Sequence, residues 1–405
     1  MSALSLPGSS VPDEGSREVE EGWAVDPTTE DIKNTLQPSF PNSDINVEFF
    51  SSGAYNKLYQ VTINVHKTYL IRVSLPVDPV HKTSSEIATL RFVEAISDIP
   101  IPRPVMSCTH RNTPTGLEWI MMTKLDGVTL HNIWPRLDAF RKSYAVRQIA
   151  SFQLSLFSRT FCRIGNLYPE TSLEPQRIVS IPFFQGGRAW KVNNRGPFPN
   201  SSQWIYARLN LQRRDAWHTM TKYNRQKGDG SLTQQDYDRA LYTCQLCRRI
   251  FPFIARFFPE DGNALEPTVL HHDDLHANNI LANDLGTITG IVDWECVSTV
   301  PLWKACFYPK FLFDPPRHTP EESSFQDPEF LTSQDNLLRS VFLKEMERLS
   351  PDWMQIYRTS ACKRDLSFAV DKIGREDKHS YIASWLSNLE SNQPGPSLLD
   401  TLFEL

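Results

Sequence analysis

Apolar and polar positions alternate in short runs over the first third of this chain. From Asn46, Val47, Phe49 and Phe50 lead into a small-residue turn, Ser51-Ser52-Gly53-Ala54-Tyr55, and further runs follow at Leu58 to Val65 and Thr68 to Ser74. This spacing predicts strands, the first two forming a hairpin. Between Ser84 and Ile96, Ile87, Leu90, Phe92 and Val93 are spaced as on an amphipathic helix, which Ile99-Pro100-Ile101-Pro102 then breaks. Val105 to Cys108 and Leu117 to Lys124 read as two more strands. The order of three strands, helix and two strands predicts a small antiparallel α+β unit.

Asp126-Gly127 marks a boundary, beyond which helical spacing dominates. Leu137 to Phe161, Gln234 to Phe258, Trp303 to Phe313, Pro328 to Leu349 and Asp352 to Ile373 all carry it. Residues 165–233 are irregular but rich in aromatics, among them Phe183, Phe184, Trp190, Phe198 and Trp204, which favours packing against a core. A short helix is expected at Val25 to Leu36, capped by Thr28 or Thr29. The predicted organisation is a disordered tail over 1–22, an N-terminal lobe over 23–125, a helical lobe over 126–375 with an irregular insertion at 165–233, and a tail over 376–405.

Composition narrows the class. Hydrophobic residues make up 40% of the 405 positions and aromatics 11%, as in a folded soluble protein. The net charge of −5 leaves no basic excess to neutralise nucleic-acid phosphates. No run of about 18 apolar residues suggests a membrane span. The acidic N-terminus, with Asp13, Glu14, Glu18, Glu20 and Glu21, has neither a secretion signal nor a basic transit peptide, so the cytoplasm is expected. Seven cysteines without a regular frame argue against a disulfide scaffold. Cys244 and Cys247 lie within a helical pattern and are expected to be buried and structural, since zinc would need further ligands.

The chemistry concentrates in His272-Asp273-Asp274-Leu275-His276-Ala277-Asn278-Asn279 and in Ile291-Val292-Asp293-Trp294-Glu295. Thr268-Val269-Leu270 reads as a strand ending at the histidines. Ile280-Leu281 and Ile288 to Val292 read as a hairpin turned at Asn283-Asp284-Leu285-Gly286. That hairpin brings Asp293 back beside Asn279. Two carboxylates and an amide so placed suit phosphoryl transfer: Asp274 meets the attacking hydroxyl, while Asn279 and Asp293 supply hard oxygens for magnesium.

The pattern H-x-D-x-x-x-x-N, followed fourteen residues later by Asp293, resembles the aminoglycoside phosphotransferase and choline kinase superfamily. The match is at His272, Asp274, Leu275, His276, Asn279, Ile280 and Leu281, with Asp273 where the family usually has Gly. The resemblance implies a protein-kinase-like two-lobe α+β fold, with a small antiparallel-sheet N-lobe and a larger, mainly helical C-lobe. It also implies ATP and Mg as cofactors. Gly53 would then lie in the turn over the nucleotide, and Arg72 would stand at the phosphate-binding Lys position, paired with Glu86. Met122 to Gly127, including Lys124, would form the hinge whose backbone binds adenine. Ile164-Gly165-Asn166-Leu167-Tyr168 and Gly196-Pro197-Phe198 resemble uncharacterised fungal members.

The leading expectation is an ATP- and Mg-dependent phosphotransferase acting on a hydroxyl of a small molecule, with no nucleic-acid or membrane partner. A catalytically silent kinase-like binding protein is the alternative, motivated by the thin glycine loop, by Arg72 and by Asp273. A metal-dependent hydrolase is a third reading, resting on the crowding of His271, His272, Asp274 and His276. The histidines are expected to be scaffolding, and Glu295 structural. Asp273 either faces solvent or helps to bind a cationic substrate.

Overall fold

Alternation along the N-terminal third produces one antiparallel sheet. The computed structural model describes residues 26–169, 174–185, 188, 194–225, 232–259, 265–313 and 328–403. The tail expected over 1–22 and Trp190 lie outside them. Strands β1 (Ile45–Ser52), β2 (Asn56–Ile63), β3 (Lys67–Ser74), β4 (Pro104–Cys108) and β5 (Glu118–Thr123) form a sheet ordered β1-β2-β3-β5-β4. Helix α1 (Thr29–Leu36) precedes it, and Thr28 and Asp31 close a reciprocal cap at its start. The sheet's two-residue period sends Ile71 and Val73 to the core shared with Ile32 and Leu36. Arg72, between them, must then face the opposite side, where helix α2 (His81–Ile96) lies.

Helix α2 is buried on more than its apolar side. Lys82, Thr83, Ser84, Ser85, Glu86 and Thr89 are buried as well as Leu90, Phe92 and Val93. The apolar face joins the main core of the helical region, with Leu130, Trp134, Leu275, Ile280 and Trp294. Its polar side meets charged partners instead of water. An element expected to be half-exposed is therefore gripped on both sides.

The helical region contains α3 (Ala139–Phe157), α4 (Ser201–Arg225), α5 (Gln234–Phe257) and α6 (Pro328–Leu349). Helix α4 occupies much of the stretch expected to be irregular. Its periodicity is masked because Arg208 stands in the buried stripe, with Trp204, Ile205 and Leu209. The Arg208 guanidinium lies 4.4 Å from the Trp204 ring centroid and pairs with Asp371, so the charge is buried with a partner. The single helix expected at Asp352 to Ile373 is two, α7 (Pro351–Thr359) and α8 (Ala361–Lys372), parted at Ser360. Part of the expected tail is helix α9 (His379–Glu390), held by buried Ile382, Trp385 and Leu386.

The expected helix from Trp303 to Phe313 is also corrected. Only Leu302–Ala305 and a 3-10 turn at Lys310–Leu312 form, because Pro309 cannot continue a helix and biases Tyr308 away from helical backbone. Strands β6 (Val128–Thr129), β9 (Ile280–Ala282) and β10 (Ile288–Ile291) form a small sheet. Strands β7 (Thr160–Phe161), β8 (Thr268–His271) and β11 (Ser298–Pro301) form another. Asn166 ties the halves together: its amide nitrogen donates to Ser85 Oγ (2.9 Å) and Val297 O (3.0 Å). Its oxygen accepts from Val179 N (2.9 Å) and Ser298 Oγ (2.8 Å). Among the described residues, no helix is long and apolar enough to cross a membrane.

Candidate functional site

The loop between β8 and β9 holds Asp274 and Asn279, and its backbone is closed from within. Asn279 Nδ2 donates to Asp274 O at 3.0 Å, and Asn279 N donates to His276 O at 2.9 Å. His272 is buried, donates from Nε2 to Val292 O at 3.1 Å, and packs edge-on against Trp294 at 5.0 Å. Burial holds its imidazole below the usual range, so it is neutral near pH 7. These contacts give His272 a holding role. His276 accepts from Asn278 N through Nδ1 (3.2 Å) and turns Nε2 toward Asp274 Oδ2 (3.5 Å).

The expected β9–β10 hairpin forms, with Ile291 opposite Ile280 and a register shift between Ile288 and Gly290. Val292 N donates to Asn279 O at 3.0 Å, which sets Asp293 beside Asn279. Asp293 itself has φ +63°, a left-handed backbone that is uncommon for a non-glycine residue and turns its carboxylate out of the strand line. The segment expected to form the hinge is clamped to this hairpin: Thr289 Oγ1 donates to Asp126 O at 2.6 Å. Gly127 (φ +105°) sits so close that a Cβ there would lie 2.3 Å from Thr289 Oγ1.

Arg72 and Glu86 pair directly, as expected. Arg72 Nη1 is also 3.5 Å from both Asp293 Oδ1 and Glu295 Oε2. Sequence reasoning missed Lys82, one helical turn before Glu86. Its buried ammonium reaches Glu295 Oε2 (2.5 Å) and Asn56 Oδ1 (2.9 Å), and Asn56 Nδ2 donates to Glu295 Oε2 at 2.7 Å. The i, i+4 spacing with Glu86 was the available signal, since it sets both side chains on one helix face. Two cations thus meet three carboxylates, those of Glu86, Asp293 and Glu295.

Burial pushes the Glu295 carboxyl up, but Lys82 and then Arg72 outweigh it and hold the group at about 2. The balance at Asp293 goes the other way. Burial and then the Glu295 charge push its carboxyl up to about 6 despite Arg72. The backbone bond from Val292 to Asn279 brings Asn279 and Asp293 to adjoining positions, and an amide oxygen and a carboxylate are the hard donor types that magnesium takes alongside phosphate and water. Among the described residues, no group of three or more His, Cys, Asp or Glu is placed to hold a metal. The crowding of His271, His272, Asp274 and His276 thus forms no such group within the described residues.

The remaining expected nucleotide residues are more dispersed. Gly53 N donates to Asn56 O at 2.8 Å, which links the β1–β2 turn to the Glu295 cluster through Asn56. A Cβ on Gly53 would meet only ordinary contact, so the turn does not demand glycine. Met122 is buried with Ile87 and Ile120. Lys124 lies apart from the charged cluster, with its ammonium on Gln60 Oε1 at 2.6 Å. A small, partly open space beside His271 and His272 is lined by Ile99, Phe152, Leu275 and Trp353, with no Asp, Glu, Lys or Arg, and does not suit phosphates. Cys244 and Cys247 are buried, and all seven cysteines are free thiols.

On the loop after β8, Lys310 Nζ donates to Asp274 Oδ1 at 2.6 Å and Lys304 Nζ lies 3.0 Å from Asp273 Oδ1. Burial raises the Asp274 carboxyl, but His276 and Lys310 overcome this and hold it at about 2. Asp273 is likewise held well below the usual carboxylate range, with Lys304 and His271 outweighing its burial.

The model of the family described as "Phosphotransferase enzyme family" matches residues 46–303. A subtelomeric hrmA-associated cluster protein of Aspergillus fumigatus is 23% identical over 303 residues, covering 64% of this chain and 59% of that protein. Clavilactone A biosynthesis cluster protein Y of Ampulloclitocybe clavipes is 26% identical over 277 residues, covering 64% and 62%. Altered inheritance of mitochondria protein 9 of Saccharomyces cerevisiae is 20% identical over 366 residues, covering 78% and 56%. The chain thus spans between 56% and 62% of the length of these relatives. An aminoglycoside phosphotransferase solved with ADP and hygromycin B aligns over 90% of this chain and 99% of its own, with TM-score 0.47 and 14% identity. A type I macrolide 2'-phosphotransferase aligns over 89% and 97%, with TM-score 0.39 and 11% identity.

Proposed function

Because this chain belongs to the phosphotransferase enzyme family, we propose that it transfers the γ-phosphate of ATP, with magnesium, to a hydroxyl of a small molecule. The observation that carries the reading is the pairing of Asp274 and Asn279 on one loop with Asp293 at the end of the adjoining hairpin, faced by Arg72. In the proposed reaction the acceptor oxygen bonds to the γ-phosphorus and the bond to the nucleoside diphosphate breaks. The diphosphate leaves with the electron pair, and the hydroxyl proton passes to Asp274 and on to water. Asp274 would orient the hydroxyl and take its proton as the new bond forms. Asn279 and Asp293 would hold magnesium, which screens the phosphates when bound. Arg72, fixed by Glu86, would face them from the sheet. Met122 to Gly127 would offer backbone groups to adenine, under the turn at Gly53. The free thiols support a reducing compartment, and the cytoplasm is the proposed location.

Asp274→Asn should abolish transfer while magnesium–ATP binding, read by calorimetry, survives; retained turnover would overturn the role of Asp274. Asp293→Ala should weaken magnesium–ATP binding at least tenfold, or about 1.4 kcal/mol; unchanged affinity would remove Asp293 from the metal site. One observation favours the alternative of a silent binding protein: the Asp274 carboxylate is closed by Lys310. That reading predicts magnesium–ATP binding without transfer to any acceptor.

A further inference from the structure

The two adjacent carboxylates of the catalytic loop each end on a lysine from a downstream element, Asp273 on Lys304 and Asp274 on Lys310. Those elements are anchored. Trp303 and Ala305, flanking Lys304, are buried. Phe311, next to Lys310, donates its backbone N–H to Leu275 O at 3.0 Å and packs its ring on Trp134 at 5.7 Å. The Lys310 stem therefore rises from backbone tied to the loop itself and the Lys304 stem from a buried turn, while the Lys310 side chain remains 54% exposed.

We propose that Lys304 and Lys310 form the receiving end of the acceptor site, and that the acceptor is a hydroxyl compound carrying a carboxylate or phosphate. This rests on the phosphotransferase reading of the same site. Two ammonium groups cancel the two carboxylates, so an acceptor bearing amino groups finds neither Asp273 nor Asp274 free and meets like charge at this loop. A hydroxyl docking on Asp274 takes the hydrogen-bonding position that Lys310 fills. The displaced ammonium then needs another anion, and a carboxylate or phosphate on the acceptor supplies it. Asp273, expected either to face solvent or to help bind a cationic substrate, is exposed and pairs with Lys304.

The test is transfer from labelled ATP and magnesium by the full chain to three panels: gluconate, glycerate and glycerol phosphate; glycerol and other neutral polyols; and amino sugars. Label should enter the anionic panel, with the carboxylate and phosphate members distinguishing the two sources of charge. Lys304→Met and Lys310→Met should each raise KM for the anionic acceptor about tenfold or more, with a smaller effect on kcat. Transfer to amino sugars in preference to the acids overturns the proposal. So does a Lys310→Met enzyme that loses kcat on every acceptor at constant KM, since the ammonium would then serve only the transferring phosphoryl group. If magnesium–ATP binds and is hydrolysed but no acid is phosphorylated, this inference fails alone. If magnesium–ATP does not bind, the phosphotransferase reading fails with it.

Discussion

Replacing Lys82 by Met tests whether the buried charged cluster is structural. The substitution nearly preserves the stem and removes an ammonium 2.5 Å from Glu295 Oε2 and 2.9 Å from Asn56 Oδ1. The Lys82 side chain is 2% exposed and that of Glu295 11%, so water cannot readily replace the lost partner. Glu295 keeps Asn56 at 2.7 Å and Arg72 at 3.5 Å, but Arg72 is already engaged by Glu86. Breaking one side of a buried pair costs roughly 3–5 kcal/mol, and the remaining partners favour the lower end, about 3 kcal/mol. Adding Glu295→Gln should recover part of the loss, giving a coupling energy on the order of 2 kcal/mol. Urea unfolding followed by tryptophan fluorescence and far-UV circular dichroism measures both, provided the two curves coincide. A Lys82→Met protein within about 0.5 kcal/mol of wild type, with coupling near zero, would refute the reasoning.

Two further expectations concern stability. Asn166→Leu leaves the hydroxyls of Ser85 and Ser298, Val179 N–H and Val297 O without their side-chain partner, and should cost roughly 2–4 kcal/mol in the same unfolding assay; a loss below about 1 kcal/mol would mean that water reaches these groups. Burial lowers the His271 imidazole from 6.5 to about 4. The folded state therefore binds fewer protons than the unfolded chain between these values. The contribution of His271 is complete above about 6.5 and falls away as pH drops toward 4, by up to about 3 kcal/mol. His271→Gln should flatten that part of the stability-versus-pH curve, and an unchanged slope would rule out His271 as its source.

Legibility followed how locally each feature is encoded. The sheet was readable because strand alternation and turn residues are adjacent in sequence. The loop at 272–279 and the hairpin at 280–293 were readable for the same reason, since a two-strand hairpin returns Asp293 to Asn279 whatever surrounds it. Helix α4 was obscured by Arg208, a charge in a buried stripe that only Asp371 and Trp204, distant in helix α8 and one turn away, make tolerable. The break at Ser360 carries no proline or glycine, so periodicity ran through it.

By itself, then, the sequence determined the strands of the N-terminal sheet, the hairpin at 280–293 and the set of polar groups on and beside it, because these depend on short-range spacing. Tertiary structure alone decided their charge state and company. Helix α2 carried Lys82 to Glu295, and the segments around Pro309 carried Lys304 and Lys310 to Asp273 and Asp274. Such pairings join residues far apart in the chain through burial, which excludes water and makes the choice of partner matter, and one-dimensional spacing contains no record of it.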